Sequence, residues 1–160
     1  MVRVRDLKLS LRAFMRTYPW RVIDPVPAVE LARPVSSCRV AVVSSAGLVV
    51  PGDPPFDPDV RGGDFSYRVI PADADVQRLE EHHRSDAFDH SGIEADRNLA
   101  MPLDRLREMA ANGDIGSVAP RHISLMGSIT APGRLVKRTL PEVADLLISD
   151  QVDVAVMVPV

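Results

Sequence analysis

The chain of 160 residues has a single cysteine, Cys38. That excludes an internal disulfide and agrees with a reducing compartment, so the expected location is cytoplasmic. Aromatic residues are 4% of the chain, and Lys and Arg are dispersed with no basic block. With few rings to stack bases and no electrostatic footprint, no nucleic-acid partner is expected. No apolar run reaches membrane-spanning length. Residues 1–20 are basic and partly amphipathic, but have no apolar signal core and no small-residue cleavage site. GxGxxG, Walker, GxSxG and HExxH patterns are all missing, which removes the simplest dinucleotide, phosphate-loop, esterase and zinc-protease readings. There is no internal repeat.

Proline is the opposite case. Fourteen are present, and they cluster in 19–34 and 51–58, where the chain should wrap as extended segments. Residues 6–16 carry Leu7, Leu9, Leu11, Phe14 and Met15 between basic residues, an amphipathic helix that Tyr18-Pro19 should end. Tyr18 and Trp20 read as anchors in an apolar groove, on this chain or on a partner subunit. The expected organisation is an N-terminal helix and proline-rich arm over 1–38, then an α/β domain over 39–160.

Within that domain, 39–45 (RVAVVSS) is a continuous β-branched run and predicts a parallel strand covered on both faces. Residues 65–70 alternate and suggest a second strand. Residues 103–112 place Leu103, Leu106 and Met109 on one helical face, and Asn112-Gly113 is a stop. Residues 140–149 have Pro141 in a first helical turn and an apolar face of Val143, Leu146 and Leu147. Residues 152–160 repeat the buried-strand pattern. Helix then strand is half of a βαβ unit. The fold class is therefore α/β: a parallel-sheet, Rossmann-like three-layer domain. Ligand sites in such folds lie beyond the carboxyl ends of the strands, which nominates Ser44, Ser45 and Gly47.

The most polar stretch is 82–104, HHRSDAFDHSGIEADRNLAMPLD. It holds His82, His83 and His90, three of the four histidines, with Asp86, Asp89, Glu94, Asp96 and Asp104. Burying so many charges without partners would cost several kcal/mol each, so this is a solvated loop or a polar site. Three chemistries fit. His82, Asp86 and His90, one turn apart on a helix, could hold Zn, Fe or Mn, although the spacing matches no established ligand motif and Ser91-Gly92 would break the helix. Histidines near carboxylates could do acid–base work. Asp96, Asn98 and Asp104 could equally be caps and turn formers. His122 follows Pro120-Arg121 and alone reads as a loop histidine. Cys38 lies at the amino end of its strand and reads as core.

The order of several short motifs resembles the component B selenoprotein family of glycine, sarcosine, betaine and D-proline reductases. These are Ala41–Gly47 (AVVSSAG), Pro54-Pro55-Phe56, Gly63-Asp64-Phe65-Ser66, His82-His83, Phe88-Asp89-His90 and Asp96-Arg97-Asn98. They are followed by the stretch 101–106 (MPLDRL), Gly113-Asp114-Ile115-Gly116, and His122 with Met126-Gly127. The resemblance runs from about residue 20 to the end. It implies reductive cleavage of the bond between the α-carbon and nitrogen of an amino acid or related amine, by a selenolate or thiolate that attacks that carbon. It implies that the selenocysteine or cysteine directly follows the strand read here at 152–160. The 160 residues are then expected to be the N-terminal part of a longer fold, truncated at a selenocysteine codon read as stop. They would lack the nucleophile themselves.

By the same resemblance His82, His83, His90 and His122 are expected catalytic groups, and Ser44, Ser45, Gly47, Asp89, Asp96 and Asn98 substrate-binding ones. No metal or cofactor is expected in this chain; a pyruvoyl group would sit on a partner subunit. The expected partners are other reductase subunits, a dithiol or thioredoxin-like reductant, further copies in an oligomer, and a small amine or amino acid. The competing readings are a non-catalytic α/β subunit and a metal-dependent enzyme built on residues 82–90.

Overall fold

The computed structural model describes residues 8–19, 22–27, 29–85 and 90–160. The chain divides into two units, Met1–Glu30 and Leu31–Val160. In the first, helix α1 (Leu9–Thr17) ends where Tyr18 turns extended ahead of Pro19, and the Tyr18 N–H donates to the Phe14 carbonyl at 2.8 Å. The expectation for Trp20 lies outside the described residues.

The second unit carries strands β1 (Arg39–Ser44), β2 (Leu48–Val49), β3 (Tyr67–Pro71), β4 (Glu80–Glu81), β5 (Ser117–Val118), β6 (Arg121–Leu125) and β7 (Val154–Val158). Its helices are α2 (Ser91–Ala95), α3 (Leu103–Asn112) and α4 (Leu140–Ser149), the last continuing a π-helical turn at Leu135–Thr139. β1 is central and parallel to β5, β6 and β7. β7 runs along one edge of β1. β5 and β6 share the other in succession, β5 at Arg39 and Val40, β6 at Val43 and Ser44. β3 closes the far side antiparallel to β6. The sheet is thus mixed where the sequence pattern suggested a parallel one.

Successive residues of a strand face opposite ways, and β1 uses both faces. Val40 and Val42 pack with Leu103 and Leu106 of α3, together with Ile70, Met101 and Ile115. Val43 packs with Ile123, Leu125 and Val143 of α4. The result is the expected three-layer α/β arrangement. α3 ends as expected, Gly113 taking φ +81° to release the helix. β7 departs from expectation: Val156 and Met157 are 36% and 64% exposed. Its residues read as a core strand, yet among the described residues only β1 pairs with it.

The GDFS motif is structural. Asp64 is buried, and its carboxylate accepts from the Asp57 N–H, the Ser66 N–H and the Ser66 hydroxyl at 2.8, 2.8 and 2.6 Å. Burial opposes its ionisation. Those three donors and the nearby Arg68 outweigh burial and hold the carboxyl below its usual range. Arg68 in turn donates to the Pro54 and Pro55 carbonyls and lies 4.3 Å from the Phe56 ring centre. Asp64→Ala strands three donors and should lower stability by roughly 2–3 kcal/mol in urea unfolding. Because the native carboxyl is depressed, its contribution is present above the unfolded carboxyl pKa and is lost as pH falls through the folded one. A wild-type midpoint in the alanine variant would refute this.

Candidate active site at the carboxyl edge of the sheet

β1 ends at Ser44, whose hydroxyl accepts from the Ala46 N–H at 3.2 Å and turns the chain out of the sheet. Gly47 then takes φ +66°. Its N–H donates to the Leu125 carbonyl and its carbonyl accepts from the His82 N–H, both at 2.9 Å. β2 follows at once and pairs antiparallel with β4, so Glu80 and Glu81 lie opposite Val49 and Leu48. This small ribbon carries the His-His segment to the end of β1. A Cβ on Gly47 would stand 3.0 Å from the His83 nitrogen.

Glu81 and His90 form the polar centre of the edge. The His90 Nδ1 meets the Glu81 Oε1 at 2.5 Å, and Nε2 meets the Ser85 carbonyl at 2.9 Å. A carbonyl only accepts, so Nε2 carries a proton; a carboxylate on Nδ1 favours the second. The Ser85 carbonyl first, and Glu81 next, raise the His90 pKa above its ordinary 6.5. His83 lies beside it with ring centres 6.2 Å apart. The Ser85 N–H donates to its Nδ1 at 3.2 Å, which leaves the neutral ring protonated at Nε2. Burial lowers its pKa below 6.5; Glu81 opposes this and His90 adds to it. Two neighbouring histidines are thus pushed apart, one toward imidazolium and one toward neutral imidazole, the division that separates an acid from a base in one site.

The last residue of the chain reaches the same edge. The Ser45 hydroxyl accepts from the Val160 N–H at 2.9 Å and lies 3.4 Å from the Val160 carbonyl, to which it donates. The Ser45 N–H donates to the Val158 carbonyl at 3.0 Å. A mostly apolar cavity of about 170 Å³ opens here, lined by Val43, Ser44, Ser45, Leu125, Met157, Val158 and Pro159.

The structure therefore gathers Ser44, Ser45, Gly47, His83 and His90 at one sheet edge. His82 borders it, its Nε2 3.5 Å from Glu80. Asp89, with Asp86, lies outside the described residues. Asp96 and Asn98 are elsewhere. The Asp96 carboxylate caps the turn at Arg97–Leu99 by accepting from the Asn98 N–H at 2.9 Å, and takes the Gln77 amide at 2.7 Å. Asn98 then bridges to Asp104, which pairs with Arg107 at 2.5 Å. This chain of contacts fastens α3, as capping residues do.

His122 also stands apart. It is fully buried near the amino end of β6, and its Nδ1 accepts from the Val42 N–H at 3.0 Å. The ladder along β1 breaks between the Val40–Val118 and Val43–Ile123 pairs, and in that break the imidazole accepts from the Val42 N–H of β1. Burial, with Arg107 nearby, lowers its pKa to about 4. Residues 82–85 form no helix and His90 directly precedes α2, so the helical metal spacing does not occur. Among the described residues no three His, Cys, Asp or Glu side chains are grouped to hold a metal ion.

Glu81 is the site residue the sequence reading passed over. In extended backbone, positions 81 and 83 share a side, and that alternation was its signal.

A family profile described as glycine/sarcosine/betaine reductase selenoprotein B matches residues 3–160. The chain belongs to this selenoprotein B family. Among curated relatives, a D-proline reductase subunit gamma of Acetoanaerobium sticklandii is 32% identical over 136 residues, 84% of this chain and 54% of that protein. A sarcosine reductase complex component B subunit beta of Peptoclostridium acidaminophilum is 30% identical over 79% of this chain and 29% of its own length. A glycine reductase complex component B subunit gamma of Symbiobacterium thermophilum is 24% identical over 94% of this chain and 35% of its own. This selenoprotein B family chain thus spans about half the length, or less, of the relatives it matches. No solved structure matches it. Among the described residues no helix is long and apolar enough to cross a membrane.

Proposed function

We propose that the chain is part of a reductase component that cleaves the bond between the α-carbon and nitrogen of an amino acid or related amine. The substrate class is that of glycine, betaine, sarcosine or D-proline reductases. The nucleophile is a selenocysteine or cysteine encoded just after Val160. Its anion attacks the α-carbon, a carbon–selenium or carbon–sulfur bond forms, and the carbon–nitrogen bond breaks. The nitrogen takes the bonding pair and needs a proton.

The observation that carries this reading is the split pair, His90 toward imidazolium on Glu81 and His83 toward neutral imidazole, at the edge where Ser45 fastens Val160. In this reading His90 supplies the proton to the departing amine. Imidazolium and sheet-edge N–H groups together favour an anionic nucleophile beside them. The relatives' names, each a reductase subunit or a component of a reductase complex, support other subunits as partners. A dithiol reductant would then regenerate the nucleophile.

The coding DNA beyond Val160 tests the reading. A TGA codon or a cysteine codon there, in a frame that stays open, is the expected result. A frame that closes with TAA or TAG and encodes neither residue would overturn it.

A further inference from the structure

Gly127 follows β6 and the bridge that pairs Met126 with Ala46. Its φ is not in the left-handed region, so backbone freedom does not explain glycine here. Space does. A Cβ at 127 would lie 2.3 Å from His83 Nε2, 2.9 Å from His83 Cδ2 and 2.8 Å from the Ser45 carbonyl oxygen. The imidazole occupies the volume any side chain would need. At Gly47 a Cβ would press on the His83 backbone instead, 3.0 Å from its nitrogen. Two glycines, from the ends of β1 and β6, thus receive the two parts of one histidine.

We propose that Gly127 is a positioning residue that seats the His83 ring on the carboxyl edge of the sheet, against the Ser45 carbonyl. Ser45 links this seat to the end of β7, because its hydroxyl holds the Val160 backbone. The consequence for catalysis rests on the reductase reading; the seat itself does not. Among the described residues, Glu81 and His90 are charged groups that act on His83. The three atoms nearest the Cβ position at Gly127 belong to the His83 ring and the Ser45 carbonyl, so a methyl there presses first on the ring's place and its burial.

The test is Gly127→Ala in the 160-residue chain, with the histidine rings followed by NMR across pH. A displaced His83 loses its burial, so its midpoint should rise toward the ordinary value while His122 stays near its wild-type midpoint. A folded variant with an unmoved His83 midpoint would overturn the proposal. Should the variant fold poorly, a double-mutant cycle decides. The drop in the folding constant caused by Gly127→Ala should be at least tenfold smaller in a His83→Ala background. An equal drop in both backgrounds would mean that the Ser45 carbonyl alone forbids a side chain, and the proposal fails. Neither readout uses reductase turnover, so failure of the reductase reading leaves both interpretable.

Discussion

Replacing His122 with leucine should lower stability at pH 7 by roughly 1–3 kcal/mol and flatten its dependence on acid. The first effect follows from the Val42 N–H. Leucine keeps most of the volume but cannot accept, and an orphaned buried amide costs about that much. The second follows from linkage. The native pKa is about 4 against an ordinary 6.5. Between those values the unfolded chain binds the proton and the folded one does not, so stability rises with pH there. The contribution is complete above 6.5 and is lost progressively as pH falls toward 4. A shift of that size corresponds to on the order of 3 kcal/mol. His83, also lowered, acts with the same sign. Urea unfolding at several pH values from 4 to 8 should show wild type losing more stability than the variant, the two curves converging in acid. Parallel curves would sink the idea that His122 is held neutral by burial.

That histidine also shows where sequence reasoning stops. Pro120, with Gly116 before it and Gly127 after, made His122 look like a loop residue. Its role depends on which strand lies alongside, and no local pattern states that β5 and β6 share one edge of β1 with a break between them. β1, α3 and α4 were legible because their signals are local: the β-branched run of β1, the Leu103–Leu106 face of α3 with its Asn112-Gly113 stop, and Pro141 at the start of α4; β6, five residues beside a proline, was not. The direction of β3 was not, because residues 67–71 alternate equally well in a parallel or an antiparallel ladder. β7 carries an apolar pattern that burial alone would explain, yet Met157 is 64% exposed, since periodicity reports what a strand can bury and not what covers it. The site was half legible. Ser44, Ser45 and Gly47 followed from the rule that α/β sites lie at carboxyl strand ends. Asp96 and Asn98 were open to both readings, and their contacts are those of a cap. Glu81 escaped because it follows another glutamate just ahead of the polar stretch 82–104, where one carboxylate looks like any other.

Glu81→Gln should disarm the site while leaving its shape. The amide oxygen can still accept from His90 Nδ1, but the negative charge that helps hold both histidines is gone. The Ser85 carbonyl remains on Nε2, so His90 should keep part of its elevation and titrate at lower pH than in wild type. His83, which Glu81 also raises, should move down as well. NMR titration of the rings reads both directly. The linkage follows in sign. A raised native pKa gives stability that is complete below the ordinary 6.5 and is lost as pH rises through the folded value. The variant should therefore lose stability on the acid side of neutrality and little above the wild-type His90 midpoint. If His90 protonates the departing amine, activity falls as pH rises through its pKa, and in the variant that limb should move to lower pH. Turnover near neutral pH in the assembled reductase should drop on the order of 10²-fold, the usual weight of a positioned acid. The relevant comparison is Glu81→Asp, which keeps the charge on a shorter arm and should recover more of the His90 midpoint than the glutamine does. A His90 midpoint unmoved in Glu81→Gln would mean that the Ser85 carbonyl and Glu94 hold the imidazolium without Glu81. Unmoved midpoints together with full turnover would remove Glu81 from the chemistry altogether.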